Sequence, residues 1–574
     1  MLKPYVKKFW KQFTFGPLCK FTEAVLELFI PLVMAKIVDV GIAGGDIPYI
    51  LKHGGLMMLL GALGFLLAVV CQYSAASAQQ GIGTLLRRDV FHKIHTLSKA
   101  QQDAFSPAAL TTRMLNDVNQ IQTAVAMFIR LAFRWPFIIL GSLLAAAMLD
   151  KKLSLIFFAA ALLLSALLYV VLSLSLPIFR KIQKKTDTLS AITEDSLLGV
   201  RVIRAFQKME FHKKRYDNVN DKLTALNFRV ARLNACLNPL SFALLNFCII
   251  LLLLFGAKRV HVGTLSQGQL IALTNYMTQI LLSIMIFANT IVLFVKASAS
   301  VERVTEILET KPEMTEGNKK QMETDKGFPA VALQNVSFRY PNSATPALLN
   351  LSLEIPKGAT VGILGATGCG KSTLAKLLCR LYDVESGTVS LFGADCKAYT
   401  AAALHEGVHL VSQHNPLFKG TVRDNLLCGR TGISDAEINK ALALSEAAEF
   451  VTQKGGLDTE VLEHGHNFSG GQRQRLCIAR ALLGQPEIVI FDDALSALDF
   501  ATEAKIRRNL ADWQNGRTLL FISQRMHVVQ NADCIYVLED GQLAAHGTHA
   551  ALLESSPLYT EICRSQEAKK EGTR

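Results

Sequence analysis

Apolar residues dominate the first 300 positions of the chain, and near Val331 they give way to a mixed pattern broken by short apolar runs. A bilayer core about 30 Å thick is crossed by a helix of roughly 20 apolar residues. Six stretches reach that length, at about 18–40, 56–78, 127–149, 153–176, 238–257 and 270–295, and they predict a helical membrane domain over 18–310. The polar connections 79–126 and 177–237 are rich in helix formers and lack Pro/Gly clusters, so the spans are expected to continue as helices well beyond the bilayer. The first twenty residues, MLKPYVKKFWKQFTFGPLCK, are basic and aromatic, with no compact apolar run and no small-residue cleavage site. Residues 1–17 therefore read as an amphipathic helix on the inner surface rather than as a signal peptide. Periodicity fades in KPEMTEGNKKQMETDKGFPA, residues 311–330, which marks a linker. A second domain is expected over 331–565, with a polar tail at 566–574.

Composition agrees with this division. Half of the 574 residues are hydrophobic and 19% are charged, too apolar for an ordinary soluble enzyme and incompatible with disorder, collagen or a small disulfide scaffold. The net charge of +13 is uneven: residues 1–310 carry 33 Lys+Arg against 17 Asp+Glu, and the remainder 27 against 30. Segments 1–20, 79–126 and 177–237 hold 23 Lys+Arg, whereas 41–55, 150–152 and 258–269 hold 5. That asymmetry places both termini in the cytoplasm, and cations interleaved with apolar spans argue against a nucleic-acid partner. The 11 cysteines are scattered without a Cys-x-x-Cys pair, the usage of reduced cytosolic thiols.

The candidate chemistry lies in the second half. The run TVGIL from Thr360 leads into GATGCGKST, residues 365–373, and then into a helical pattern. Glycines at 365, 368 and 370 let the backbone fold tightly so that loop N–H groups and the helix N-terminus face phosphate oxygens. The phosphate-binding set is then Gly365, Ala366, Thr367, Gly368, Cys369, Gly370, Lys371, Ser372 and Thr373, with Lys371 supplying a cation to the β- and γ-phosphates and Ser372 a hydroxyl to Mg²⁺. Residues 486–499, PEIVIFDDALSALD, read as a strand ending in two carboxylates. Asp492 suits Mg²⁺, a hard cation that takes oxygen ligands. Asp493 stands where a general base or water-positioning group is needed.

Just upstream, NFSGGQRQR (467–475) resembles the signature of ATP-binding cassette ATPases. With the preceding spans, the chain resembles an exporter half-transporter of that family. The resemblance implies a six-span, type I exporter-like α-helical transmembrane domain followed by an α/β P-loop nucleotide-binding domain. It implies that Tyr340 stacks on adenine and that Gln413 links the γ-phosphate and Mg²⁺ to the membrane domain. Asp499, in the loop Ser496-Ala497-Leu498-Asp499, would cross a dimer interface, and Glu463 in TEVLEHG would touch the membrane domain. Ser469, Gly470, Gly471 and Gln472 open a helix and form an anion site, which in the family takes the γ-phosphate of ATP held by the other subunit. SPAALTTRMLNDV (106–118) and EDSLLGVRVIRAFQKME (194–210) resemble the two coupling regions that dock on nucleotide domains.

Two positions depart from hydrolytically competent relatives: Asp493 replaces Glu and Gln524 replaces His. ATP binding needs neither group, so the chain is expected to bind Mg-ATP and hydrolyse it slowly, while its preserved signature completes the active site of a partner half-transporter. The expected function is an ATP-driven exporter subunit for amphiphilic drugs or lipids in a bacterial plasma membrane. A slow homodimeric exporter and an ATP-gated membrane sensor or channel are the alternatives. Glu23 and Glu27, four apart in the first span, are candidates to attract cationic amphiphiles unless they pair with a neighbour such as Arg130 or Arg134. Met277, Met285, Phe287 and Phe294 either line an adaptable cavity or pack against their neighbours.

Overall fold

The computed structural model describes residues 1–324, 327–341, 343–413 and 416–571. The chain divides into two units, one formed by Met1–His95 with Ala108–Thr310 and the other by Thr96–Pro107 with Lys311–Arg574. Up to Glu309 the helices are α1 (Lys3–Lys8), α2 (Trp10–Lys36), α3 (Ile47–Thr96), α4 (Lys99–Phe105), α5 (Pro107–Thr112), α6 (Val118–Leu131), α7 (Arg134–Leu149), α8 (Ser154–Leu198), α9 (Val200–Ala205), α10 (Met209–His261) and α11 (Gln267–Glu309). Helices α3, α8, α10 and α11 run 50, 45, 53 and 43 residues, about 65–80 Å at 1.5 Å per residue.

Among the described residues, five helical stretches are long and apolar enough to cross a membrane, in Ile47–Thr96, Pro107–Leu149, Ser154–Leu198, Met209–His261 and Gln267–Phe287. Helix α2, where the first span was expected, is not among them, because Lys20, Glu23 and Glu27 interrupt its apolar run. Those charges are paired. Lys20 Nζ donates to both Glu23 oxygens at 2.7 and 2.6 Å, and Arg134 Nη2 donates to Glu27 Oε2 at 2.7 Å. Both candidate carboxylates are thus held by cations of the same unit. Leu28 and Leu32 of α2 pack against the helical core, where buried Tyr276 donates its hydroxyl to Leu28 O at 2.5 Å. Met277 is sealed in that core, whereas Phe294 is half-buried and meets Phe128 edge-on.

Several expected boundaries move. The interfacial helix has no break after residue 17. Pro17 lies inside α2, and the chain turns instead at Phe9, whose φ/ψ of −109°/28° separates α1 from α2. Phe9 seats on α3 where Gly81 lacks a side chain, since a Cβ there would lie 2.1 Å from the ring. From Ala108 on, the docking segment expected at 106–118 belongs to the helical unit, where Asp117 ends a π-helical turn (Arg113–Asp117) and accepts from Ser300 Oγ at 2.9 Å and Arg303 Nε at 2.8 Å. The stretch that joins the second unit is Thr96–Pro107, some ten residues earlier. A capping box between Ser98 and Gln101 starts α4 there, satisfying amide groups that an isolated short helix leaves open. The other expected docking tip, around α9, exposes Leu197, Leu198, Val202, Phe206, Met209 and Phe211.

The second unit holds β1 (Val331–Phe338), β2 (Leu348–Ile355), β3 (Thr360–Gly365), β4 (Ser386–Leu391), β5 (Ala394–Asp395), β6 (Val408–Val411), β7 (Gly420–Thr421), β8 (Glu460–Val461), β9 (Ile488–Asp492), β10 (Thr518–Ser523), β11 (Cys534–Glu539) and β12 (Gln542–Gly547). One sheet has the order β12-β11-β3-β10-β9-β6 and is parallel except for β12; an antiparallel sheet has the order β2-β1-β4-β5. Strands buried on both faces read as continuous apolar runs, as TVGIL and IVIFD do. The helices are α12 (Lys371–Leu378), α13 (Ala401–Gly407), α14 (Val422–Leu427), α15 (Asp435–Leu444), α16 (Ala448–Gln453), α17 (Gly470–Leu482), α18 (Phe500–Trp513), α19 (Met526–Val529), α20 (His549–Ser555) and α21 (Pro557–Glu571). Of the polar tail expected at 566–574, residues 566–571 continue α21, whose buried Tyr559 and Cys563 anchor it, and 572–574 lie outside the described residues.

Candidate functional site

Helix α12 follows β3 across the loop 366–370, at the carboxyl ends of the parallel strands where open α/β sheets place ligands. A cleft of about 340 Å³ opens there, lined by Tyr340, Ala347, Thr367, Gly368, Gly370, Lys371, Ser372, Thr373, Gln413, Asp492, Asp493, Ile522, Ser523 and Gln524. Its size falls in the range of small-molecule sites. It gathers residues from five separate stretches of sequence, those of Tyr340, Lys371, Gln413, Asp492 and Gln524, that were assigned to one nucleotide site. Gly365, Ala366 and Cys369 complete the loop behind it.

Glycine at 370 is obligatory. Its φ of 97° is left-handed, and a Cβ would lie 2.5 Å from Ala347 O. Lys371, 8% exposed, donates from Nζ to Gly365 O at 2.7 Å and Ala366 O at 2.6 Å, which holds its cation within the loop. Tyr340 stands at the cleft wall, its hydroxyl 3.1 Å from Thr373 Oγ1 and its ring edge-on to Phe338 and Tyr382. This leaves an aromatic ring braced by two others, suited to stacking on a base.

Ser372 Oγ donates to Asp492 Oδ1 at 2.9 Å. A hydroxyl and a carboxylate at this spacing are hard oxygen donors of the kind Mg²⁺ takes alongside phosphate oxygens. No cluster of three or more His, Cys, Asp or Glu able to hold a metal exists among the described residues, so these donors suit a cation shared with a phosphate ligand rather than an all-protein cage. Burial pushes the Asp492 carboxyl above its ordinary range, opposed by the Ser372 hydrogen bond. Ser372→Ala is expected to raise the Mg²⁺ concentration for half-maximal ATP binding about tenfold, measured by nucleotide titration at graded Mg²⁺.

Asp493 follows β9 in a left-handed conformation, φ 49°, which Asp tolerates better than most residues. Its N–H donates to Ile522 O at 2.8 Å, and Ser496 Oγ donates to its carbonyl at 2.8 Å. Burial also raises this carboxyl, against the Arg525 guanidinium. Gln524 lies across the cleft, its Oε1 accepting from Thr367 Oγ1 at 3.1 Å.

The signature is elsewhere. Ser469 caps α17, accepting from Gln472 N at 3.3 Å while its own N–H donates to Gln472 Oε1 at 3.0 Å. Ser469 and Gly470 are exposed, and neither they nor Gly471 and Gln472 line the cleft. Asp499 caps α18 by accepting from Thr502 N at 3.0 Å and is likewise outside the cleft.

Three connections carry no sequence signal. Buried Gln474 of α17 accepts from Ala497 N at 3.1 Å and donates to Asp493 O at 3.5 Å, tying the signature helix to both acidic segments. Arg525 Nη2 donates to Ser496 O at 3.0 Å. Helix α4 is fastened within its unit by Tyr382 OH donating to Asp103 Oδ2 at 3.0 Å and Gln101 Nε2 donating to Lys311 O at 2.8 Å. Tyr382 therefore touches both the ring of Tyr340 and α4.

Two family models match, the ABC transporter transmembrane region over residues 13–285 and the ABC transporter family over 348–496. The chain is 34% identical over 569 residues to an uncharacterized ABC transporter ATP-binding protein of Mycobacterium tuberculosis, covering 99% of this chain and 98% of that protein. It is 31% identical over 527 residues to an ATP-dependent lipid A-core flippase of Photobacterium profundum, covering 90% and 88%. A solved structure of a bacterial Atm1-family ABC exporter with ATP bound aligns with a TM-score of 0.81 at 25% identity, covering 99% of this chain and 98% of that one.

Proposed function

The chain belongs to the ABC transporter family as an ATPase-coupled exporter with a multi-pass helical domain and an ATP-binding domain, and from this premise we propose that it is one subunit of a heterodimer whose turnover lies mainly at the partner's site. The separation of Ser469 and Gly470 from the cleft on the same chain supports a second subunit, and Asp493 and Gln524 lining that cleft carry the asymmetry. An exposed helix N-terminus with a free face meets a phosphate only when a second nucleotide domain brings one to it. The cleft of this chain is built for binding, with Lys371, Ser372, Asp492, Tyr340 and Gln413, whereas Asp493 and Gln524 are poor at activating water. The exposed apolar tip around α9 supports a second subunit as well, since it offers Val202 and Phe206 to a surface outside its own unit.

In this mechanism Lys371 and the loop amides hold the phosphates of ATP, and Tyr340 stacks on the base. Ser372, Asp492 and Gln413 would hold Mg²⁺, which neutralises phosphate charge. Closure of two nucleotide domains is passed through α4 and the α9 tip to the spans, and a cavity open to the cytoplasm becomes open to the outside. The transported compounds are amphiphiles, lipids or drugs; the full-length likeness to a lipid A-core flippase favours lipids. The protein resides in a bacterial plasma membrane with the nucleotide domain and both termini cytoplasmic, and α2 supplies the sixth span with its charges paired.

The test is Mg-ATPase activity and movement of a fluorescent phospholipid in proteoliposomes, for the chain alone and with its co-purified partner. Near-zero activity alone, gained with the partner and abolished by Lys371→Met only as far as this chain's ATP is needed for closure, is the expected result. Vigorous turnover by the lone chain would replace the heterodimer with a homodimer.

A further inference from the structure

The C-terminal helix reaches back to the loop that carries Gln524. Gln566 of α21 uses both ends of its carboxamide there: Nε2 donates to Gln524 O at 2.8 Å, and Oε1 accepts from Met526 N at 2.8 Å. The two bonds straddle Arg525, so the backbone between β10 and α19 is clipped from behind the cleft. On the cleft side, Thr367 Oγ1 occupies Gln524 Oε1 at 3.1 Å, which leaves Nε2 as the donor Gln524 can offer a phosphate. The clip has a firm base, since Tyr559 and Cys563 of α21 are buried in the same core as Met526, Val528 and Val529. His549 Nδ1 lies 2.7 Å from the Tyr559 hydroxyl and fixes the start of the helix.

We propose that Gln566 is a positioning residue for the terminal phosphate: by holding Gln524 O and Met526 N it sets where the Gln524 amide meets the γ-phosphate, and so governs the preference of this site for ATP over ADP. The inference rests on the proposed function, in which Gln524, standing where relatives have His and lining the cleft, donates its amide to the γ-phosphate. A preorganised donor is effective only where it points without reorganisation, and a shift near 1 Å forfeits most of its effect. ADP lacks the phosphate that Gln524 would meet, so its affinity is indifferent to the clip.

Full-length chain in lipid nanodiscs is titrated with the Mg²⁺ complexes of the β,γ-imido analogue of ATP and of ADP, each displacing a trinitrophenyl nucleotide. Gln566→Ala is expected to weaken the ATP analogue about tenfold while ADP binding is unchanged. Gln566→Glu keeps the acceptor for Met526 N but loses the donor to Gln524 O, and it is expected to lose the same preference. Equal loss for both nucleotides, or no loss for either, in a background where Gln524→Ala does abolish the preference, overturns the role of Gln566. If Gln524→Ala leaves the preference intact, the γ-phosphate reading itself fails and the role of Gln566 with it.

Discussion

Replacing Asp493 by Glu and Gln524 by His together raises the Mg-ATPase rate of the purified chain by on the order of 10²-fold. The expectation follows from how rigidly both positions are held. Asp493 N donates to Ile522 O and its carbonyl accepts from Ser496 Oγ, both at 2.8 Å. The main chain therefore cannot advance to make up for the missing methylene, and the carboxylate stops about 1.5 Å short, one C–C bond, of where a glutamate would reach. Gln524 is fixed by Thr367 in front and Gln566 behind. It can donate a hydrogen bond, but it cannot take a proton or carry charge as an imidazole does. Asp493→Glu alone should deliver most of the gain, because a base placed on the attacking water contributes more than a changed phosphate donor. The rate is read as phosphate release from nanodiscs at saturating Mg-ATP. A double variant within twofold of wild type would show that the native pair already suffices, and the asymmetric heterodimer would lose its chemical basis.

That these residues converge on one cleft was legible because their chemistry demands fixed spacing in short stretches. Gly370 could be only glycine beside Ala347 O, Lys371 and Ser372 had to follow it directly, and Asp492 had to end a strand. The membrane helices were legible from length alone, except where charge broke the pattern. Glu27 takes the pairing alternative that the sequence offered, with Arg134 107 residues away, whereas α4 was misplaced because its anchors lie 210 and 279 positions downstream, at Lys311 and Tyr382. Contacts at that range leave no periodicity behind. The amphipathic pattern of 106–118 was real, but its buried face, with Leu110 and Val118, serves the helical unit. Gln566 was invisible for a simpler reason: a polar residue past the last apolar run reads as tail until a helix such as α21 is seen to carry it inward.

The second large effect is expected at the signature. Gly470→Asp should abolish ATP turnover by the assembled transporter, by 10²-fold or more, while leaving ATP binding to this chain's own cleft unchanged. Gly470 suits the test because a Cβ there meets nothing within 4 Å, so the fold accepts a side chain. An acid in the first turn of α17 even favours the helix through its dipole, which separates the expected loss from unfolding. What the carboxylate destroys is the anion site: it sits beside the Ser469 hydroxyl and the first amides of α17, where the partner's γ-phosphate would have to approach, and like charges repel strongly in a closed interface. Gly470→Asn has almost the same shape without the charge, so it should lose much less. The pair is compared by phosphate release from the co-purified complex and by nucleotide titration of the single chain. Equal turnover for Gly470→Asp and wild type would mean that no phosphate comes to this helix, and the two-subunit site would have to be abandoned, whichever partner had been supplied.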